Sequence, residues 1–354
     1  MSKQFGCGLV VGKFCPLHIG HELLINRALE QSDEVIIISY TKPEFDCCPP
    51  ALRDKWIRAR FPSANILVID DILLEKTCVQ RRISDVLSVP HNDAPDEEHR
   101  QFVAWLCMTI LNTSVDVVFT SEEYGNGFAD FLTQYFQSNT KSRSRVPHIC
   151  IDIKRDAVPI SGTIIRSNPH EHRQFLSPEI YASFVERICL LGGESTGKTT
   201  LAQALAYHLK TNWVPEYGRE LWALKNGHLF FDDMLEIGHI QLERESEAIF
   251  SANHYLLCDT SPLTTIFYSQ EIFGKVDKEM ENMISTHKYD YIFLCAPDFD
   301  FVQDGTRRDH EFRMRQHTWY LTELNARKLP YSLLEGSLDE RINKVLSTLT
   351  NNPA

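Results

Sequence analysis

Residues 188–199 read ICLLGGESTGKT, and the fold of the surrounding chain follows from them. An apolar run, 188–191, leads directly into the pattern GxxxxGK[ST], and an amphipathic stretch, 199–210, follows. Strand, glycine-rich turn and helix in that order form a phosphate-binding loop. Glycines let the backbone turn tightly around an anion, and the helix start offers amides with a partial positive charge. Gly193, Glu194, Ser195, Thr196 and Gly197 make the turn, with Thr200 just inside the helix. Lys198 can reach the β- and γ-phosphate oxygens of a nucleotide, and the Thr199 hydroxyl can ligate Mg²⁺. ATP is the expected co-substrate.

Strand candidates at 188–191, 255–258, 291–295 and 331–334 alternate with helical stretches at 199–210, 232–251, 277–286 and 309–328. Their apolar runs are continuous rather than alternating, as in parallel strands covered on both faces. Asp259 ends the run HYLLCDT, where an acid would hold Mg²⁺ or its water; the plain alternative is a helix cap before Ser261-Pro262. Glu216, in WVPEYGRE, is the other candidate to take a proton from an attacking hydroxyl, and otherwise an exposed turn acid. Near the C-terminus QDGTRR places Arg307 and Arg308 in a loop, with Arg313 and Arg315 on the next helix. Guanidinium groups so placed could neutralise charge on a transferred phosphoryl group, or form a solvated charge run.

The first half repeats the logic with different residues. Strands are expected at 8–11, 35–39, 66–69, 115–119 and 149–153, with helices at 22–30, 51–61 and 98–111 and an irregular excursion at 76–97. GKFCPLHIGH, residues 12–21, follows the first strand and opens a helix. His18 and His21 lie three apart without a third ligand at useful spacing, so zinc is disfavoured. Both imidazoles can instead face one anion beside the amides of the first turn. Gly12 would allow close approach of the nucleotide, next to Lys13 and Phe14, and Gly20 would leave the rings unobstructed. ISGTIIR carries Ser161 and Thr163, which read as helix-capping residues, and Arg166, expected on the first helical turn, which capping does not explain. The two motifs suit nucleotidyl transfer: an incoming phosphate attacks the α-phosphorus of ATP and pyrophosphate leaves, while the protein positions groups and stabilises charge.

Composition sets the limits. The chain has 354 residues, 43% hydrophobic and 24% charged, which suits two globular domains. Its formal charge of -12 lacks the positive field of general nucleic-acid binding, so no nucleic-acid partner is expected. Ten cysteines, mostly in apolar runs, read as core filler in a reducing setting. No apolar run reaches the length of a membrane span and the start lacks a signal-peptide pattern, so a cytoplasmic location is expected. The fold class is α/β: two doubly wound parallel-sheet domains, at 1–170 and 187–354, with 171–186 as a structured connection.

GKFCPLHIGH and ISGTIIR resemble the paired motifs of the HxGH nucleotidyltransferases. GGESTGKT, EYGRE, LLCDTS and QDGTRR resemble the ribosylnicotinamide kinase domain of NadR-type bifunctional enzymes, in the same order along the chain. That resemblance implies phosphorylation of nicotinamide riboside to nicotinamide mononucleotide (NMN) in the second domain, and joining of NMN to AMP in the first, giving NAD and pyrophosphate. It implies that His18 and His21 contact ATP phosphates and that Ser161, Thr163 and Arg166 hold the β,γ end. It places Ser121 and Glu122, in TSEE, near the nicotinamide pocket, and Tyr217 and Arg219 near the riboside. Regulatory members carry an N-terminal helix-turn-helix; here eleven residues precede Gly12, so DNA repression is not expected. The segment KPEFDCCPP, 42–50, matches nothing in the family pattern. A fused phosphopantetheine adenylyltransferase/dephospho-coenzyme A kinase, and a nucleotide sensor with one inactive domain, stay open as alternatives. A homo-oligomer is compatible with all of these readings.

Overall fold

The structure is a computed structural model describing residues 3–140, 144–154, 156–301 and 308–351. It divides into two compact units, Met1–Ser183 and Phe184–Ala354.

In the first unit β1 (Phe5–Val11), β2 (Ser32–Ser39), β3 (Asn65–Val68), β4 (Val117–Thr120) and β5 (His148–Cys150) form a parallel sheet in the order β3-β2-β1-β4-β5. Gly8 pairs with Val35 on one side and Val117 on the other, so β1 is central. Its Leu9 and Val10 and the run Val35–Ile38 of β2 are almost wholly buried, as continuous apolar strands should be. The strand expected at 149–153 starts one residue earlier and ends at Cys150. The expected excursion at 76–97 starts later, because Asp70 caps a helix, Asp71–Arg81, by accepting from the Leu73 N–H at 2.7 Å. The helix expected from 98 begins at Asp96 and ends at Trp105, where one π-helical stretch, Leu106–Ile110, continues it. Residues 171–183 pack on this unit: Trp56 Nε1 donates to Ser183 Oγ at 2.9 Å, and Arg60 lies 3.8 Å from Glu179.

The second unit repeats the architecture with β6 (Glu186–Gly192), β7 (Trp213–Val214), β8 (Tyr255–Asp259), β9 (Tyr291–Cys295) and β10 (Ser332–Leu334), all parallel, in the order β10-β9-β6-β8-β7. On β6, Ile188 and Leu190 join the core with Leu201, Leu205 and Val345, while Cys189 and Leu191 face Tyr320 and Leu324 on the opposite side. The two-residue β7 is too short to announce itself in sequence. The helices Pro262–Phe273 and Leu338–Asn351 complete the cover. Among the described residues no helix is long and apolar enough to cross a membrane.

In both sheets the first strand is central and its neighbours lead the chain in opposite directions. A crevice opens at the carboxyl end of such a strand, and ligands of open α/β sheets bind there. GKFCPLHIGH leaves β1 at that point, and GGESTGKT leaves β6.

Candidate functional site

His18 caps the helix Ile19–Gln31. Its Nδ1 accepts from the Gly20 N–H at 3.2 Å, and His21 Nδ1 accepts from the His18 N–H at 3.4 Å. A backbone amide can only donate, so each Nδ1 is an acceptor and each neutral ring carries its proton on Nε2. The rings stack with centroids 3.7 Å apart, which sets two N–H donors side by side at a helix start. A Cβ on Gly20 would stand 3.0 Å from the His18 ring, so this position keeps the pair uncrowded, as expected. Gly12 lines the same cavity as the histidines, and a Cβ there would stand 2.9 Å from the Phe14 ring.

Ser161 caps the helix Gly162–Ser167 by accepting from the Ile164 N–H at 3.4 Å. Arg166 falls on the last turn, not the first. From there its Nη2 donates to Thr163 Oγ1 at 3.1 Å, its Nη1 donates to the Cys15 carbonyl, and its guanidinium lies 4.0 Å over the Phe45 ring. The two motifs therefore meet. They meet closely, because a Cβ on Gly162 would fall 2.7 Å from the Cys15 carbonyl oxygen.

The segment 42–50, unmatched in sequence, braces this centre. Glu44 accepts twice from Arg53 Nη2, at 2.9 and 2.7 Å. Arg53 is fully buried, and its Nη1 donates to Ser39 Oγ at 2.9 Å and the Lys13 carbonyl at 3.4 Å. Cys15 is more than filler: its hydrogen bond with Cys48, then Arg53 and Arg166, hold its thiol below the ordinary value against the effect of burial.

His18, His21, Cys15, Ser161, Thr163 and Arg166 line a cavity of about 440 Å³ that also receives Lys13, Ser121 and Glu122. Sequence reasoning missed Tyr40, Asn92, Asp96, His99 and Arg100 on its wall. His99 Nδ1 bonds the Tyr40 hydroxyl at 2.9 Å, and burial followed by the Lys13 charge pushes its pKa down, so the ring is neutral near pH 7. Asn92 and Asp96 come from the polar stretch read as an excursion, His99 and Arg100 from the start of the helix expected from 98. No motif marks them; the helix Asp96–Trp105 brings Asp96, His99 and Arg100 to the site, and Asn92 reaches it from the loop before.

In the second unit Lys198 opens the helix Lys198–Leu209, and its Nζ donates to the carbonyls of Gly192 and Gly193 at 2.9 and 3.1 Å. Thr196 Oγ1 donates to the Gly193 carbonyl at 2.8 Å. Asp259 ends β8, opposite Leu190 of β6, and its Oδ2 accepts from Thr199 Oγ1 at 2.6 Å. Its Oδ1 is buried with no hydrogen-bond partner among the described residues. A buried carboxylate oxygen without a donor, next to a threonine hydroxyl, suits a hard divalent cation. Burial pushes the Asp259 pKa up, while Lys198 and Thr199 pull it down.

Glu216 precedes the helix Tyr217–Leu224 and lines a cavity of about 320 Å³ with Lys198, Glu194, Arg219 and Arg308. Burial raises its pKa most; Lys198 opposes this and Asp259 adds to it. Tyr217 is buried, with its hydroxyl donating to Glu236 at 3.2 Å and Arg244 over its ring at 4.6 Å, and its neighbours form the wall. Glu194 accepts from the Tyr268 hydroxyl at 2.9 Å and from the Arg308 N–H at 2.7 Å. Thr200 is exposed on the first helical turn, and Ser195 and Gly197 both take positive φ in the loop. Arg307 lies outside the described residues. Arg313 is buried and donates to the Phe299 carbonyl at 2.9 Å, so it supports the loop after β9, whereas Arg315 is exposed. Trp222, Gln241, Thr264 and Tyr268, unassigned from sequence, complete the wall.

Residues 187–341 match the model of an AAA domain family. The trifunctional NAD biosynthesis/regulator protein NadR of Escherichia coli (strain K12) is 30% identical over 323 residues, covering 85% of this chain and 71% of that protein. The protein of the same name from Salmonella typhimurium (strain LT2) is 27% identical over 318 residues, 86% of this chain and 72% of its own. Among solved structures, a NadR protein in complex with NAD and AMP-PNP superposes with a TM-score of 0.71 at 20% identity, covering 99% of this chain and 98% of that one. Another in complex with NR gives 0.69 at 19%, covering 99% and 96%. These superpositions speak for the fold, and the curated relatives for the lineage: the chain belongs to the NadR family of NAD biosynthesis/regulator proteins.

Proposed function

We propose that this chain makes NAD in two steps, one per unit. The second unit, 187–354 in functional terms, phosphorylates nicotinamide riboside with ATP to give NMN and ADP. The first, 1–170, adenylylates NMN with a second ATP to give NAD and pyrophosphate. The observation that carries the reading is the pairing of two strand-end loops, GKFCPLHIGH and GGESTGKT, each opening a helix beside a cavity, with 30% identity to a NAD biosynthesis protein over 323 residues.

In riboside phosphorylation the 5′-hydroxyl oxygen attacks the γ-phosphorus, the bond from that phosphorus to the bridging oxygen breaks, and ADP leaves. Glu216 takes the hydroxyl proton: it stands in the cavity wall with Lys198, and its raised pKa makes it a better base than a surface carboxylate. Lys198, the loop amides and Arg308 would gather around the phosphates. Thr199 and Asp259 would hold Mg²⁺, which when bound neutralises charge on the β- and γ-oxygens.

In adenylyl transfer a phosphate oxygen of NMN attacks the α-phosphorus of ATP and the bond to pyrophosphate breaks. The Nε2–H groups of His18 and His21 donate to the phosphate oxygens, and Arg166 with Ser161 and Thr163 holds the departing end. Ser121 and Glu122, on the wall of the same cavity, would contact the NMN base.

Incubating the purified chain with ATP, Mg²⁺ and nicotinamide riboside should yield masses for NMN and then NAD. Bound ATP and NMN with no pyrophosphate released would favour the sensor, and turnover of phosphopantetheine in preference to NMN would favour the coenzyme A route.

A further inference from the structure

Outside both motifs stands one charged side chain on which three loops converge. Arg341, on the helix Leu338–Asn351, is 2% exposed. Its Nη1 donates to the Thr196 carbonyl at 2.8 Å, Nη2 to the Ala296 carbonyl at 3.0 Å, and Nε to the Gly336 carbonyl at 3.0 Å. Nη2 also pairs with the Asp298 carboxylate, and the guanidinium lies 4.7 Å over the Phe299 ring. Burying a guanidinium is unfavourable unless its donors are used, and apolar packing would often stabilise equally well. Its hydrogen bonds therefore point to shape rather than bulk stability.

The shape in question is that of the phosphate loop. A loop that cradles an anion with its N–H groups must send the matching carbonyls the other way. Thr196–Gly197 is a trans peptide, so its carbonyl and N–H point in opposite directions. Arg341 grips that carbonyl from behind, at the step where Gly197 takes φ +77° to enter the helix. The side chains of the loop itself are engaged elsewhere: Thr196 Oγ1 and Lys198 Nζ both serve the carbonyls at the start of the turn.

We propose that Arg341 is a positioning residue for phosphate binding in the second unit, turning the Gly197 N–H into the cradle by holding the Thr196 carbonyl away from it. This rests on the reading of that unit as the kinase. Lysine would keep the charge but lose the planar fork that serves several carbonyls at once, so Arg341→Lys should be intermediate and Arg341→Gln severe.

The test uses the full chain carrying His18→Ala, which weakens the other ATP site, titrated calorimetrically with AMP-PNP and separately with nicotinamide riboside. Arg341→Gln should weaken AMP-PNP binding tenfold or more while riboside affinity stays within twofold, and Arg341→Lys should recover part of the loss. Asp298→Asn, which removes the counter-ion and leaves one acceptor to share between Arg341 and the Gly336 N–H, should weaken AMP-PNP about threefold and serves if Arg341→Gln does not fold. A folded Arg341→Gln chain, or failing that Asp298→Asn, with unchanged AMP-PNP affinity overturns the proposal. So does a parallel loss of both ligands, the mark of general damage. If the parent chain binds AMP-PNP but transfers no phosphoryl group to riboside, the kinase reading fails while the nucleotide arm of this test still stands.

Discussion

The residues proposed to touch phosphate divide cleanly between the two units, and so should the effects of changing them. Lys198→Ala should lower riboside phosphorylation by about 10²–10³-fold, the scale of removing one preorganised donor, and spare NAD formation from supplied NMN. His18→Ala should do the converse, with pyrophosphate release as the readout. Loss of both activities in a folded variant would contradict separate centres. Glu216 adds a pH signature. Its pKa is raised, chiefly by burial, and a base must be ionised, so phosphorylation should climb with pH through a point above the ordinary carboxylate range. Glu216→Gln should abolish that limb along with most of the rate. It should also raise thermal stability near neutral pH, because a carboxylate that holds its proton more tightly when folded costs stability once ionised. The lysine, the threonine and the histidine pair were legible in sequence because their chemistry depends on fixed spacing next to a strand end. His99, Tyr40, Trp222 and Tyr268 were not, since each reaches its cavity from a distant segment with no local pattern to mark it.

At the scale of elements, the strands and the ligand loops were readable because continuous apolar runs and glycine-rich exits are strong local signals. Their lengths were less so. The β5 strand, His148–Cys150, keeps only two residues of its expected run, since the pairing partner, β4, ends at Thr120. The brace at 42–50 was invisible for another reason: Glu44 and Phe45 gain meaning only through Arg53 and Arg166, which fold brings to them. The short helix Gly162–Ser167 depends on an absent side chain. Gly162→Ala would set a methyl 2.7 Å from the Cys15 carbonyl, a backbone atom with little room to yield. Adenylyl transfer should fall at least tenfold with a raised KM for ATP, while riboside phosphorylation by the same molecules stays unchanged. Equal KM values in parent and variant would show that the two motifs need not approach so closely.

Across the whole molecule, stability should depend on acidity at a place remote from either cavity. Glu186, at the start of β6, has its pKa pushed up to about 7 by burial and then by Asp290. His254, 3.7 Å away, is itself pushed down by burial and is neutral near pH 7, so it does not hold the carboxylate ionised. Between the ordinary value of 4.5 and about 7 the folded chain binds this proton more tightly than the unfolded one, so stability falls as pH rises through that window. Glu186→Gln should raise the melting transition of the second unit above pH 7 by about 2–4 °C, the shift that ~1 kcal/mol gives at this size, and leave it unchanged below pH 4.5. A calorimetric scan at both ends decides it. The ligand loops themselves are anchored differently. Arg53 and Arg341, each sealed from solvent, grip carbonyls behind the first and second cradle respectively. A guanidinium stays cationic at any pH a living cell reaches. Neither grip depends on an acid that must ionise first, so an inflection in a rate profile over that range is sought elsewhere: in the reacting groups, in the Cys15 thiol beside the first cradle, or in Glu186.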